Sequence, residues 1–165
     1  IIMQTKIPIE NTDNADSLFD KLAILGGNLV VKAIDAIVSG VKAYSQNEEE
    51  VTYAYNITKE DEKIDFSKPA IQVFNQIRGL AGNPGGYFII KDKVFKVYSS
   101  RVENTFYESQ IGEIVDVGKD YFTVACGRNG ISFTKLLPEG RNLMSVRDYL
   151  NGQGKFVIEK GEIIQ

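Results

Sequence analysis

Apolar residues return every three or four positions from Leu18 through Leu22, Leu25, Leu29 and Ala33 to Ile37, the spacing that lays one stripe along an α-helix. Asn14 stands where the first turn needs a cap, its side-chain oxygen able to accept from an unpaired amide, and Asp16 follows where the helix dipole favours negative charge. Gly26-Gly27 interrupts the stripe. The pair reads as a kink or a close approach to a neighbour, because a phosphate-binding loop would stand between a strand and a helix start. Ahead of the helix, Ile1 to Ile9 is β-rich and runs into Pro8 and the polar cluster Glu10 to Asp13, which predicts a strand and a loop. Ser39 to Glu50 has no apolar period and is expected to be a linker or surface loop, while Val51 to Ile57 alternates and predicts a short extended segment before the charged stretch Thr58 to Asp65. Ser67 then caps a second helix with Pro69 in its first turn, where amides lack intrahelical partners. Ile71, Phe74 and Ile77 give that helix an inward face, and Gly79 ends it.

From Gly85 onward the period falls to two. Tyr87 to Ile90, Val94 to Ser99, Ile111 to Val117, Phe122 to Ala125 and Ile131 to Leu136 are five strand candidates. Asp92-Lys93, Gly118-Lys119-Asp120 and Arg128-Asn129-Gly130 supply turns between them. Short strands with no helix between most of them predict a small closed or nearly closed barrel, for which the five-stranded oligonucleotide- or oligosaccharide-binding (OB) barrel is the default. Ser145 to Leu150 reads as a late helix and Lys155 to Ile164 as a last extended piece. The fold class is therefore α+β.

Composition narrows the chemistry. The 165 residues suffice for one domain, or a small domain with a piece of another, since single domains most often run to about 100–150 residues. With 43% hydrophobic and 25% charged residues the chain can bury a core. One cysteine, Cys126, sits among apolar neighbours in FTVACG, so no disulfide framework forms and a buried reduced thiol in an intracellular protein is expected. No apolar run approaches the about 18 residues that cross a bilayer, and no signal segment opens the chain. Ile1-Ile2-Met3 reads as the middle of a strand, which predicts a missing upstream portion. The net charge of −3 divides into −4 over residues 1–85 and +1 over residues 86–165. Neither half is basic enough to hold nucleic acid by charge alone, so any such contact must be a local patch.

The chain has no histidine, which excludes His-based acid–base catalysis, Ser-His-Asp triads and histidine-containing zinc sites from it. Glu48 to Glu50 and Glu60 to Glu62 are acidic runs on polar segments and read as solvated faces rather than a metal site. Gly82, Gly85 and Gly86 around Asn83-Pro84 lack Walker or Rossmann spacing and read as a turn between helix and barrel. A binding surface remains. Lys59, Lys63 and Arg78 lie in the segment leading into the barrel, and Lys91, Lys93, Lys96 and Arg101 lie on its first hairpin with Tyr87 and Tyr98 close by. Cations contact phosphates and tyrosine rings stack on bases or ribose. The same mixture also describes the wet face of an ordinary barrel.

Four segments together resemble the methionyl-tRNA formyltransferase family across essentially the whole chain. SLFDKLAILGG (Ser17 to Gly27) is similar to the last helix of that family's amino-terminal catalytic domain. VTYAYNITKEDEKIDFS (Val51 to Ser67) and NQIRGL (Asn75 to Leu80) are similar to its linker and the helix entering its carboxy-terminal barrel. LLPEGRNLMSVRDYLNG (Leu136 to Gly152) is similar to its closing segment, and KEDEKIDF (Lys59 to Phe66) is the most specific element. After NQIRGL the family usually shows an Asn-Pro-Trp-Pro-Gly turn, whereas this chain has Ala81-Gly82-Asn83-Pro84-Gly85-Gly86 and no tryptophan.

The resemblance implies a cytoplasmic, monomeric enzyme of translation initiation. It moves a formyl group from 10-formyltetrahydrofolate to the amino group of methionine on initiator tRNA. Its catalytic asparagine, histidine and aspartate, and the folate site, would lie upstream of Ile1, so none is carried over and no metal or cofactor is expected here. The implied architecture is the last strand–helix unit of a Rossmann-like catalytic domain (residues 1–43), a linker (44–66) and a tRNA-binding OB-like domain (67–165). Its expected partners are initiator methionyl-tRNA and its own catalytic domain, with no membrane. Lys59, Lys63, Arg78, Lys91, Lys93, Lys96 and Arg101 would be the tRNA contacts. Two other readings stand beside this one: the carboxy-terminal domain of a related formyltransferase acting on a nucleotide-linked amino sugar, and a purely structural appendage.

Overall fold

The computed structural model describes residues 1–165, which fall into two compact units, Ile1–Asn56 and Ile57–Gln165. The first is built on helix α1 (Ala15–Val38). Its start follows from the sequence: Asn14 accepts from the Ser17 amide and the Ser17 hydroxyl accepts from the Asn14 amide, a reciprocal cap that satisfies two amides the helix cannot. The helix runs unbroken through Gly26-Gly27, and nothing lies within 4 Å of a Cβ built at either glycine. The expected close approach to a neighbour is therefore not made within this chain. Leu18, Leu25, Leu29 and Ala33 are half-buried, whereas Leu22 and Ile37 of the same stripe are exposed, as are Phe19, Ile24, Val31 and Val38.

The strand expected over Ile1 to Ile9 does not form. Ile1 and Tyr44 exchange one pair of backbone hydrogen bonds, and a single rung does not make a ladder. Val51 to Ile57, expected as a short extended segment, lies outside every helix and strand, and Glu48–Glu50 form one 3-10 turn capped by Asn47. Amphipathic or β-branched sequence makes a strand only where a partner supplies the other half of each hydrogen bond.

The second unit is an antiparallel sheet with small helices around it. The sheet contains β1 (Gly86–Ile90), β2 (Lys93–Glu103), β3 (Ile114–Val117), β4 (Phe122–Ala125), β5 (Gly130–Pro138) and the two-residue β6 (Met144–Ser145). They lie in the order β1-β2-β5-β4-β3, with β6 on β5. Bulges between Val97 and Ser100 shift the register of β2 against β5. The barrel does not close by pairing of its end strands. The tail instead lies against both: Ile89 exchanges bonds with Gln165, Ile114 with Glu162 and Gly161, and Ile164 donates to Gly112. A Cβ on Gly112, whose φ is +83°, would stand 2.7 Å from the Ile164 carbonyl oxygen.

The remaining elements are α2 (Lys59–Glu62), α3 (Ala70–Gly79), α4 (Val146–Leu150) and a 3-10 turn, Gln153–Phe156. The one-turn α2 falls inside the charged stretch, where the sequence predicts no helix. Ser67 does not cap α3: its hydroxyl bonds Asp65, Pro69 occupies the cap position, and the Ala70 amide donates to the Arg128 carbonyl. The buried face of α3 is Ala70, Val73 and Ile77 with Phe74 packed beside it, while Ile71 is exposed. The first hairpin turns at Lys91-Asp92, both with positive φ, one residue earlier than Asp92-Lys93. The predicted last extended piece begins as the 3-10 turn and only then extends.

The core is aromatic. Phe88 stacks on Phe95 at 5.4 Å, Phe122 meets Phe133 at 5.1 Å, and Phe66 approaches Phe133 edge-on at 6.2 Å. Such pairs add about 0.5–1.5 kcal/mol each beyond their buried area. Cys126 is buried, and desolvation pushes its thiol up to about 12. No helix is long and apolar enough to cross a membrane.

Candidate nucleic-acid interface

Thr58 starts α2 with a second reciprocal cap, accepting from the Asp61 amide while Asp61 accepts from the Thr58 amide and hydroxyl. The hydrogen bonds from Thr58 hold the Asp61 carboxyl below its usual range. After this turn the chain extends, with Glu62, Ile64 and Phe66 buried and Lys63 and Asp65 exposed between them. The alternation comes from strand-like pairing: Lys63 bridges Tyr87 in parallel, and the Ile64 amide donates to the Tyr87 carbonyl at 2.8 Å. Gln76 on α3 fixes the same segment, its amide donating to the Asp61 and Lys63 carbonyls at 3.0 and 2.8 Å.

Tyr87 is in turn opposite Lys96 on β2. Directly opposed residues project to one face with Cβ atoms about 4.5–5.5 Å apart, so Lys63, Tyr87 and Lys96 form one row across the outside of the sheet. Lys59 precedes this row by one helical turn and pairs with the buried Glu62 at 2.6 Å while staying largely exposed itself. The acidic run Glu60 to Glu62 is thus not wholly solvated, since Glu62 is buried. Arg78, in the last turn of α3, donates to Asn75 at 2.8 Å and lies over the Phe74 ring at 5.6 Å.

The other four cations divide. The Lys96 ammonium donates to the Pro84 carbonyl, and the Tyr98 hydroxyl packs against Gly85, so these two side chains brace the turn between α3 and β1. Lys91 bonds the Phe156 carbonyl and two carboxylates, Glu162 at 2.9 Å and Glu159 at 3.2 Å. The hydrogen bond to Glu162 leads in raising its pKa. Arg101, towards the far end of β2 from Lys93, pairs with Glu103 at 2.8 Å and stacks on Tyr121 at 4.6 Å, and the Glu103 hydrogen bond raises its pKa. Lys93 is exposed and makes no ion pair. The structure therefore brings Lys63 and Lys96 to either side of Tyr87, holds Lys59 one turn before Lys63 in an ion pair with Glu62, and engages Lys91 and Arg101 with acids elsewhere. Sequence reasoning misses Gln76, which forms part of no charge or aromatic pattern, and takes Glu62 for a solvated member of its acidic run although it is buried.

No group of three or more Cys, Asp or Glu side chains is arranged to hold a metal ion. The chain has no histidine, and burial pushes its one thiol up to about 12.

Known proteins resemble this chain over most of its length. The curated methionyl-tRNA formyltransferase of Latilactobacillus sakei subsp. sakei (strain 23K) is 39% identical over 157 residues, covering 94% of this chain and 49% of that protein. The methionyl-tRNA formyltransferase of Streptococcus uberis (strain ATCC BAA-854 / 0140J) is 38% identical over 158 residues, covering 94% and 50%. The chain spans about half the length of the curated relatives it matches. Among solved structures, a variant of HypX from Aquifex aeolicus superposes with a TM-score of 0.65 over 90% of this chain and 28% of that one, at 12% identity. HypX in complex with tetrahydrofolic acid gives 0.55 over 76% and 22%, also at 12%, a likeness of fold alone. The family described as Formyl transferase, C-terminal domain, matches residues 56–154. That span takes in α2, α3, all six strands, α4 and the bridged Lys63–Tyr87–Lys96 row, and the chain belongs to this formyl transferase C-terminal domain family.

Proposed function

We propose that this chain is the tRNA-holding portion of a methionyl-tRNA formyltransferase. In this reading the parent enzyme transfers a formyl group from 10-formyltetrahydrofolate to the amino group of methionyl-initiator-tRNA, in the cytoplasm and as a monomer. The sheet of the second unit is an OB-like barrel completed by the tail, residues 1–43 are the end of a Rossmann-like catalytic domain, and residues 44–66 link the two. The chain contributes no proton transfer. It contributes position: holding the acceptor arm so that the methionyl end reaches a centre elsewhere in the parent replaces a bimolecular encounter by a local one.

The observation that supports this best is the Lys63–Tyr87–Lys96 row with Lys59 beside it. Two clamps, Gln76 and the Thr58 cap, hold the backbone that carries Lys59 and Lys63. Exposed lysines beside a tyrosine ring suit a ribose-phosphate backbone, with charge for phosphate and a flat face for sugar or base. The names of the relatives favour tRNA over a nucleotide-linked amino sugar.

The experiment compares substrates and binding together. The parent enzyme is expected to formylate methionyl-initiator-tRNA and not nucleotide-linked amino sugars, and the 165-residue chain is expected to bind initiator tRNA at low salt. Formylation of the amino sugar, or no measurable tRNA affinity for the chain at low salt, overturns the reading.

A further inference from the structure

At the turn end of the first hairpin, a cavity of about 250 Å3 opens between the start of β2, the end of β5 and α4. Lys93, Glu139, Arg141, Tyr149 and Gln153 line it over an apolar floor of Phe95. The wall is tied by the backbone, since the Glu139 amide donates to the Val94 carbonyl at 2.9 Å and the Arg141 amide to the Pro138 carbonyl at 3.0 Å. Phe95 meets Tyr149 edge-on at 5.6 Å, which fixes the tyrosine ring.

The polar groups converge with capacity to spare. Arg141 donates from Nη2 to the Gln153 Oε1 at 2.7 Å, leaving most of the five donors of a guanidinium unused. Lys93 is exposed and in no ion pair. Tyr149 is 6% exposed, and its hydroxyl carries no hydrogen bond within the chain while lying in the field of Arg141. Glu139 is the one acid of the lining, and its Oε2 accepts from the Val94 amide at 3.2 Å. Two cations against one carboxylate leave the cavity one positive charge in excess. A phosphodiester carries a single negative charge and acceptor oxygens only, whereas free phosphate near neutral pH is partly a dianion.

We propose that this cavity is a second phosphate site, taking one phosphodiester of an RNA strand, with Arg141 and Lys93 donating to its non-bridging oxygens and the Tyr149 hydroxyl completing the shell. The inference rests on the RNA-binding reading and adds a point of attachment some way from the Lys63 row. It also gives Arg141, Tyr149 and Gln153 a role that no sequence pattern marks.

The test is an amide NMR titration of the 165-residue chain with hexauridylate carrying a 5′-hydroxyl, so that every phosphate is a diester, and in parallel with inorganic phosphate. The expected result is that hexauridylate shifts the Gly140, Arg141, Tyr149 and Gln153 signals. Arg141→Gln and Tyr149→Phe, each with its dispersed spectrum intact, should weaken those shifts by about tenfold or more in apparent Kd. If inorganic phosphate moves these signals and hexauridylate does not, the cavity serves free phosphate and the proposal fails. If hexauridylate moves only Lys63 and Tyr87, the proposed function stands and this site falls. If the cavity signals respond while Lys63 and Tyr87 do not, the site stands and the Lys63 reading falls. No response to either probe removes both.

Discussion

Glu103 sits where three strands meet. Its Oε1 accepts from Arg101 at 2.8 Å and from the Ser132 hydroxyl at 2.6 Å, and Ser132 in turn shares a 2.7 Å bond with Thr123. The Arg101 bond first, and the Ser132 bond second, hold its carboxyl below the ordinary 4.5. A depressed carboxylate contributes stability that is complete above its unfolded value and is lost as pH falls through the folded one. The melting temperature of the wild type should therefore fall more steeply below pH 4.5 than that of Glu103→Gln, which a pair of thermal melts across pH decides. Cys126 runs the other way: with its thiol pushed up to about 12 from 9.0, the folded state keeps a proton the unfolded chain loses, and stability declines as pH climbs through that interval. At about pH 8 the folded chain should resist thiol-labelling reagents that react promptly after unfolding, because the thiolate is the nucleophile; equal labelling rates would contradict the buried assignment. Burial of Cys126 was legible in FTVACG, since its neighbours are apolar. The partners of Glu103 were not, because Ser132 and Arg101 are brought to it by strand register and not by nearness in sequence.

Among the elements, those with a local cause were readable. Helix α1 carries both its period and its cap in adjacent residues, and β4 matches its predicted bounds at Phe122–Ala125. Elements that depend on a distant partner were not readable in this way. Ile1 to Ile9 has strand composition without a strand to pair with, and Ser67 has cap chemistry but spends it on Asp65. The most consequential such element is the tail. Residues Gly161 to Gln165 make five backbone bonds to Ile89, Gly112 and Ile114, and Lys91 adds an ion pair to Glu162. Backbone bonds are worth about 0.5–1.5 kcal/mol each in net terms, and exposed edge strands invite pairing between copies. Removing these residues should lower stability to denaturant by several kcal/mol, on the order of the summed bonds, and should raise the tendency to associate. A truncated chain as stable and as monodisperse as the full one would show that the tail only decorates the sheet.

For the molecule as a whole, the family was legible because KEDEKIDF and the closing segment occupy one continuous stretch each, whereas the interface was legible only in part. The seven candidate cations, five lysines and two arginines, lie in two neighbouring segments. Geometry then separates Lys63 and Lys96, on either side of Tyr87, from Lys91 and Arg101, which neutralise acids of their own, with Lys59 one turn before Lys63 and paired to Glu62. Lys59 also pairs with an acid, Glu62, but its side chain stays 72% exposed with donors to spare, whereas Lys91 is 37% exposed and held between two carboxylates. Arg141 and Tyr149 went unnoticed because a cavity wall drawn from several elements leaves no periodic mark. Binding of tRNA by this chain requires that Lys59 and Lys63 touch phosphate. The most direct measurement is the affinity of the chain for initiator tRNA across a salt series, comparing wild type with Lys59→Gln/Lys63→Gln. Phosphate binding by these lysines predicts weaker affinity in the variant and a log–log slope shallower by about 0.9 for each phosphate no longer neutralised, by analogy with duplex DNA. The same affinity and the same slope in both proteins would contradict it.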